Sequence, residues 1–183
     1  MMLNHLFGRR DVLQFEVGQK DVESTKMRRV DIHALNLHVT ENDNKVYVPD
    51  FIFRLDRALV SFRKNARFEQ RPDVFGELGP EEIHLTFMDG SDEYPETLGL
   101  SGLYEFLQFG DTTLHVASFL IPAHGRIYLT CEVGGHQNHA TTRDIRTSEV
   151  NVEVVSRAMV DTLELVAGEY DGDKSSLSWR PAD

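Results

Sequence analysis

The chain has 183 residues, with 19 Lys and Arg against 30 Asp and Glu and a formal net charge of −11. That length suits one domain with a real hydrophobic core, or two small lobes that share one. With 40% apolar residues, a mean hydropathy of −0.35 and apolar runs of only a handful of residues, a folded soluble chain is expected and a transmembrane helix is excluded.

The opening Met1–Phe7 is too short and mixed for a secretory signal, so none is expected. Leu13, Phe15 and Val17 alternate with Gln14 and Glu16, the pattern of a half-buried strand, and residues 18–28 read as a polar loop. In the next segment Val30, Ile32 and Ala34 share one phase while Leu35, Leu37 and Val39 share the other. A β-bulge near Ala34-Leu35 would restore one buried face. Glu41–Asn44 is a turn, Val46–Val48 is short and extended, and Asp50 is placed to cap a helix over 50–65 whose stripe is Phe51, Leu55, Ala58, Leu59 and Phe62.

Residues 67–82 carry Pro72, Gly76, Gly79 and Pro80 and read as a loop. Ile83, Leu85 and Phe87 alternate as a strand, Asp89–Glu93 turns the chain, and a short helix fits between Gly99 and Gly110. Residues 112–121 and 126–133 read as a hairpin joined through Pro122–Gly125, with Ile127, Leu129, Cys131 and Val133 on the buried face. A further strand is expected within 141–152. A closing helix then carries Val155, Met159, Leu163 and Val166 and ends at Gly168. The segments Val46–Phe62 and Val150–Val166 echo one another at a constant offset of 104, a pattern any strand followed by an amphipathic helix shares.

This order predicts an α+β fold. Its mostly antiparallel sheet has five to six strands, with two main helices on one face and one short helix. Residues 1–170 are expected to form a single domain, with 171–183 a polar tail anchored by Trp179.

Charge is unevenly spread. Residues 1–71 hold 13 Lys and Arg and 10 Asp and Glu, a net of +3; residues 72–183 hold 6 and 20, a net of −14. From Pro72 to Gly125 there is no Lys or Arg but ten carboxylates: Asp73, Glu77, Glu81, Glu82, Asp89, Asp92, Glu93, Glu96, Glu105 and Asp111. Like charges repel, so a fold gains no stability by collecting them, and such a surface repels phosphate. Neither nucleic acid nor an anionic membrane is therefore expected as a partner; a cationic protein is.

Motifs for chemistry are sparse. There is no Gly-x-x-x-x-Gly-Lys, Gly-x-Gly-x-x-Gly, Gly-x-Ser-x-Gly or His-Glu-x-x-His. Pro49-Asp50 and Pro72-Asp73 lack the acidic-x-Lys element of a nuclease site. Cys131 is the one cysteine, so no intramolecular disulfide can form, and a reducing, cytoplasmic compartment is expected. His136 and His139 follow Cys131, but no second ligand pair accompanies them, so no metal or cofactor is expected. His33, His38, His84 and His115 fit polar strand faces, and no residue is assigned a catalytic role.

The segment Thr40-Glu41-Asn42-Asp43-Asn44-Lys45-Val46-Tyr47-Val48-Pro49-Asp50-Phe51 leads from strand to helix. It resembles segments of bacterial immunity proteins, the cytosolic antidotes of contact-dependent and polymorphic toxins. The resemblance covers these twelve residues and implies a compact, non-enzymatic, often acidic protein that binds a basic toxin domain.

The leading expectation is thus an antitoxin-like protein that occludes a cationic toxin domain. Glu81, Glu82, Asp89, Asp92, Glu93 and Glu96 would form its steering set, with Tyr94 as an anchor. Two other readings are an enzyme of unrecognised type, a hydrolase using His84, His115 or the His136/His139 loop with or without a metal, and a homo-oligomeric assembly protein.

Overall fold

The fold is α+β, and its strands divide between two antiparallel sheets of five and three strands rather than lying in one. This computed structural model describes residues 4–64, 67–89, 99–134 and 143–179. The chain forms two compact units. One comprises Met1–Ser61, Gln108–Leu114 and Glu153–Asp183, the other Phe62–Leu107 and His115–Val152. None of the described helices is long and apolar enough to cross a membrane.

In the first unit, β1 (His5–Arg9), β2 (Leu13–Lys20) and β3 (Met27–Ala34) pair in order. Then β4 (Leu37–His38) and β5 (Lys45–Tyr47) pair with opposite ends of β3. The register sets Leu13 against Ala34, Phe15 against Ile32 and Val17 against Val30, all buried on one face. Successive side chains alternate across a strand, so Gln14 faces His33 and Glu16 faces Asp31 on the other face. The helix α1 (Val48–Phe62) buries Phe51, Ile52 and Leu55. Phe15, Phe51 and Phe109 form an aromatic triad with centroid separations of 5.8 to 6.4 Å, in edge and tilted arrangements. Gly8 has φ +85°, and a Cβ there would sit 2.1 Å from the Leu13 carbonyl oxygen, so this β1 position admits only glycine.

Three local expectations change here. The phase shift after Ala34 is not a bulge but a two-residue turn. Leu35 (φ 51°) and Asn36 (φ 63°) both lie in the left-handed region, flanked by the Ala34–Leu37 pair. Asp50 lies inside the first turn of α1 rather than capping it, and its carboxylate accepts from Arg54 Nε at 2.8 Å. In the tail the buried anchor is Leu177, while Trp179 is half-buried.

The second long helix, α5 (Val152–Gly168), ends at Gly168 as expected, and Lys174 Nζ donates to the Gly168 carbonyl at 2.9 Å. Its start, Val152, lies 104 residues after Val48, the start of α1; Phe51 and Val155, Leu55 and Met159, and Leu59 and Leu163 are buried at matching positions.

The second unit holds α2 (Pro72–Phe75), α3 (Pro80–Asp89), α4 (Ser101–Tyr104) and a sheet in the order β6 (Val116–Ala123), β7 (Arg126–Val133), β8 (Arg146–Glu149). The hairpin between β6 and β7 is as expected, tightened to a two-residue turn at His124 (φ 51°) and Gly125 (φ 75°). The strand expected at Ile83–Phe87 is instead helix α3. Three alternating apolar residues do not separate the two periods, because Ile83 and Phe87 also share a helix face. The start signals decide. Pro80 suits a first turn, Glu82 Oε2 accepts the Gly79 N–H at 2.7 Å, and Glu81 and Glu82 complement the positive helix N-terminus. Ile83, Phe75, Tyr104, Phe119 and Ile121 form the core of this unit. On β7, Leu129 and Cys131 are buried as expected, but Thr130 and Glu132 on the opposite face are buried too, and Ile127 and Val133 are half-buried.

Candidate partner-binding surface

Of the residues expected to meet a partner, the structure describes Glu81, Glu82 and Asp89; Asp92, Glu93, Tyr94 and Glu96 lie outside the described residues. Glu81 and Glu82 stand exposed at the start of α3 and Asp89 at its end. Two of the three already have work within the unit. Glu82 holds the Gly79 amide, and Asp89 accepts from Arg143 Nη1 at 2.8 and 3.0 Å. Of the other carboxylates in the acidic run, Asp73 takes a forked bond from Arg71 at 2.8 to 3.2 Å, whereas Glu77 and Glu105 are exposed.

The histidines weighed as acid–base groups fall into different settings. His136 and His139 lie outside the described residues, and His115 is half-buried. His84 is fully buried on the inner face of α3, its Nδ1 2.8 Å from Thr130 Oγ1 and its Nε2 3.5 Å from Glu132 Oε2. Glu132, itself 4% exposed, is held on its other oxygen by Arg143 Nε at 3.1 Å. Burial, with a smaller push from the Arg143 cation and against the pull of Asp89, brings the His84 pKa down to about 4. A neutral imidazole with no exposed surface bonds α3 to β7 and has no contact with a dissolved substrate.

Cys131 is equally closed to chemistry. Burial, aided by the Glu132 carboxylate, pushes its thiol up to about 12, so no thiolate forms at neutral pH. Among the described residues no three His, Cys, Asp or Glu side chains gather as a metal ion needs.

A second acidic feature lies in the first unit. Asp43 and Asp50, near one another in the chain, and Asp111, far from both in sequence, line one recess of about 220 Å³ together with Tyr47, Phe109 and Thr112. Asp43 Oδ1 accepts the Lys45 N–H at 3.1 Å, and Lys45 Nζ reaches away to Asp21 Oδ2 at 3.3 Å. In the sequence Asp111 belongs to the acidic run, and nothing there signals that folding places it beside β5. Compared with known proteins, the chain matches no protein-family model, no curated protein and no solved structure.

Proposed function

We propose that the protein is a non-enzymatic, antitoxin-like immunity protein of the bacterial cytoplasm that binds and occludes a cationic toxin domain through an acidic face. The observation that carries this reading is the Pro72–Gly125 run, ten carboxylates with no Lys or Arg, of which Glu77, Glu81 and Glu105 stand exposed on the second unit. Arg71 pairs with Asp73 and Arg143 is shared between Asp89 and Glu132, so the steering charge rests chiefly on Glu77, Glu81 and Glu105 and on Asp92, Glu93 and Glu96. A negative field speeds encounter with a basic cleft and occupies the place of phosphate there. Arginines of such a cleft pair bidentately with carboxylates, while apolar anchors slow release.

The experiment is co-expression and co-purification with the product of the neighbouring reading frame, followed by association kinetics at rising salt. The on-rate falls steeply with salt, and the Glu77→Lys/Glu81→Lys variant associates about tenfold more slowly than the parent. An on-rate indifferent to both salt and charge reversal rejects the acidic face as the docking surface.

A further inference from the structure

The recess beside β5 contains a polar group that the fold leaves unsatisfied. Thr112 lines it, is 3% exposed, and its hydroxyl has no hydrogen-bond partner among the described residues. Its neighbour Thr113 is fully used, accepting the Phe109 N–H at 2.9 Å and donating to the Gly110 carbonyl at 3.1 Å. The turn is tight. Gly110 has φ +110°, and a Cβ there would lie 3.0 Å from Asp50 Oδ2, so only glycine lets Asp50 and the 110–112 backbone share this wall. Buried polar atoms are nearly always paired, and one left open beside three carboxylates invites a donor from outside.

We infer that this recess takes the guanidinium of an arginine presented by the cationic partner, an assignment that rests on the partner being basic. Asp43, Asp50 and Asp111 supply the negative charge, against Lys45, which is turned toward Asp21, and Arg54, which holds one oxygen of Asp50. An anion drawn by the start of α1 would face all three carboxylates and is repelled. The planar guanidinium carries five N–H donors, enough to bridge two carboxylates and give one to Thr112 Oγ1, while its face lies against Tyr47, which is 48% exposed. A lysine ammonium offers a compact point charge with three donors and matches this spread less well.

The test uses the intact, isotope-labelled protein and small probes, so it needs no partner. N-acetyl-arginine amide, its lysine counterpart and the neutral isostere N-acetyl-citrulline amide are titrated while the amide resonances of Lys45–Tyr47 and Gly110–Thr113 are followed by NMR. Saturable shifts at both segments are expected with arginine, and about tenfold weaker binding with citrulline and lysine. Thr112→Val removes the hydroxyl at constant shape. It weakens arginine binding about tenfold while leaving the melting temperature equal or higher, because the free protein loses an unsatisfied group. Asp111→Asn weakens binding in the same direction. No saturable shift with arginine, equal affinity for citrulline or lysine, or unchanged affinity in Thr112→Val overturns the assignment. These failures leave the acidic-face reading standing, since that reading falls only on the salt and charge-reversal kinetics of the second unit.

Discussion

His33 and His38 stack across the β3–β4 hairpin, their ring centroids 4.4 Å apart and their planes 23° from parallel. The stack is held from one side. His38 Nε2 lies 3.0 Å from Asp31 Oδ1, which also accepts from Asn44 Nδ2 at 2.8 Å, while Arg29 Nε reaches Asp31 Oδ2 at 2.9 Å. Burial acts to raise the Asp31 pKa, but the bonds from Asn44, Arg29 and His38 outweigh it and keep this carboxylate below its ordinary range. The buried aspartate therefore stays ionised and fixes the orientation of the outer ring.

The first prediction concerns the inner ring. Burial, then the Arg10 and His38 charges, lower the His33 pKa below the ordinary imidazole value, against the opposing pull of Asp31 and Glu16. Arg10 is exposed, and its guanidinium reaches Gln14 Oε1 at 3.2 Å and Glu16 Oε2 at 3.5 Å, so its removal also frees the Glu16 carboxylate, which pulls in the same direction. In Arg10→Ala the His33 titration, followed by NMR, moves upward yet stays below the ordinary value, because burial is the larger cause. An unchanged titration would show that the Arg10 charge does not reach the ring.

The second prediction follows from His84. Its pKa is about 4 in the folded chain and 6.5 in the unfolded one, so between these values the unfolded chain binds more protons. The contribution to stability is complete above about pH 6.5 and is lost as the pH falls toward 4, by about 3 kcal/mol in all. Urea unfolding at pH 7 and pH 4.5 measures it. His84→Gln costs stability at pH 7, because the Thr130 contact weakens, but its stability falls less between the two pH values than the parent's. Equal acid sensitivity in the two proteins contradicts the buried neutral ring.

The sequence made some of this legible. Strict alternation announced β2, a sustained 3.6-residue stripe announced α1 and α5, and turn residues announced the β6–β7 hairpin. Where the signal is short, a local pattern admits two answers. Ile83, Leu85 and Phe87 fit either period, and the deciding contact is the Glu82 carboxylate on the Gly79 amide. The division into two sheets depends on long-range pairing that no window of residues contains. At the candidate surface the acidic composition was plain. That Arg143 reaches back 54 residues to pair with Asp89, or that Asp111 joins Asp43 and Asp50, is a consequence of topology alone.

A third prediction tests the buried cation beside α4. Arg67 is 5% exposed, and its guanidinium donates to the carbonyls of Leu103 (3.0 Å), Tyr104 (3.4 Å) and Glu105 (2.8 Å) at the end of α4 while lying 5.4 Å from the Phe62 ring. Burial lowers its pKa to about 10, so it remains charged at neutral pH. Arg67→Ala leaves these carbonyls to find other donors and costs about 3 kcal/mol in urea unfolding. Arg67→Lys restores the charge but not the fork, and recovers less than half of that loss. Full rescue by lysine would mean that charge, rather than the array of donors, closes this helix end.

The last prediction sets backbone strain against burial at the β3–β4 turn. Leu35 occupies the left-handed region at φ 51°, where a side chain costs about 1 kcal/mol relative to glycine. Yet Leu35 is 6% exposed, and burying a leucine contributes about 2 kcal/mol. Its N–H also donates to the Val12 carbonyl at 3.2 Å, and the Asn36 N–H to the Arg10 carbonyl at 2.7 Å, so the turn is fastened to the β1–β2 connection. Burial therefore outweighs strain at this position. Leu35→Asn, which places a residue tolerant of positive φ in the turn, destabilises the protein by about 1 kcal/mol or more. Asn36 is exposed and at φ 63°, and Asn36→Gly changes stability by less than about 0.5 kcal/mol. Thermal or urea unfolding of the two variants tells the effects apart: a Leu35→Asn protein more stable than the parent would show that strain outweighs the buried side chain.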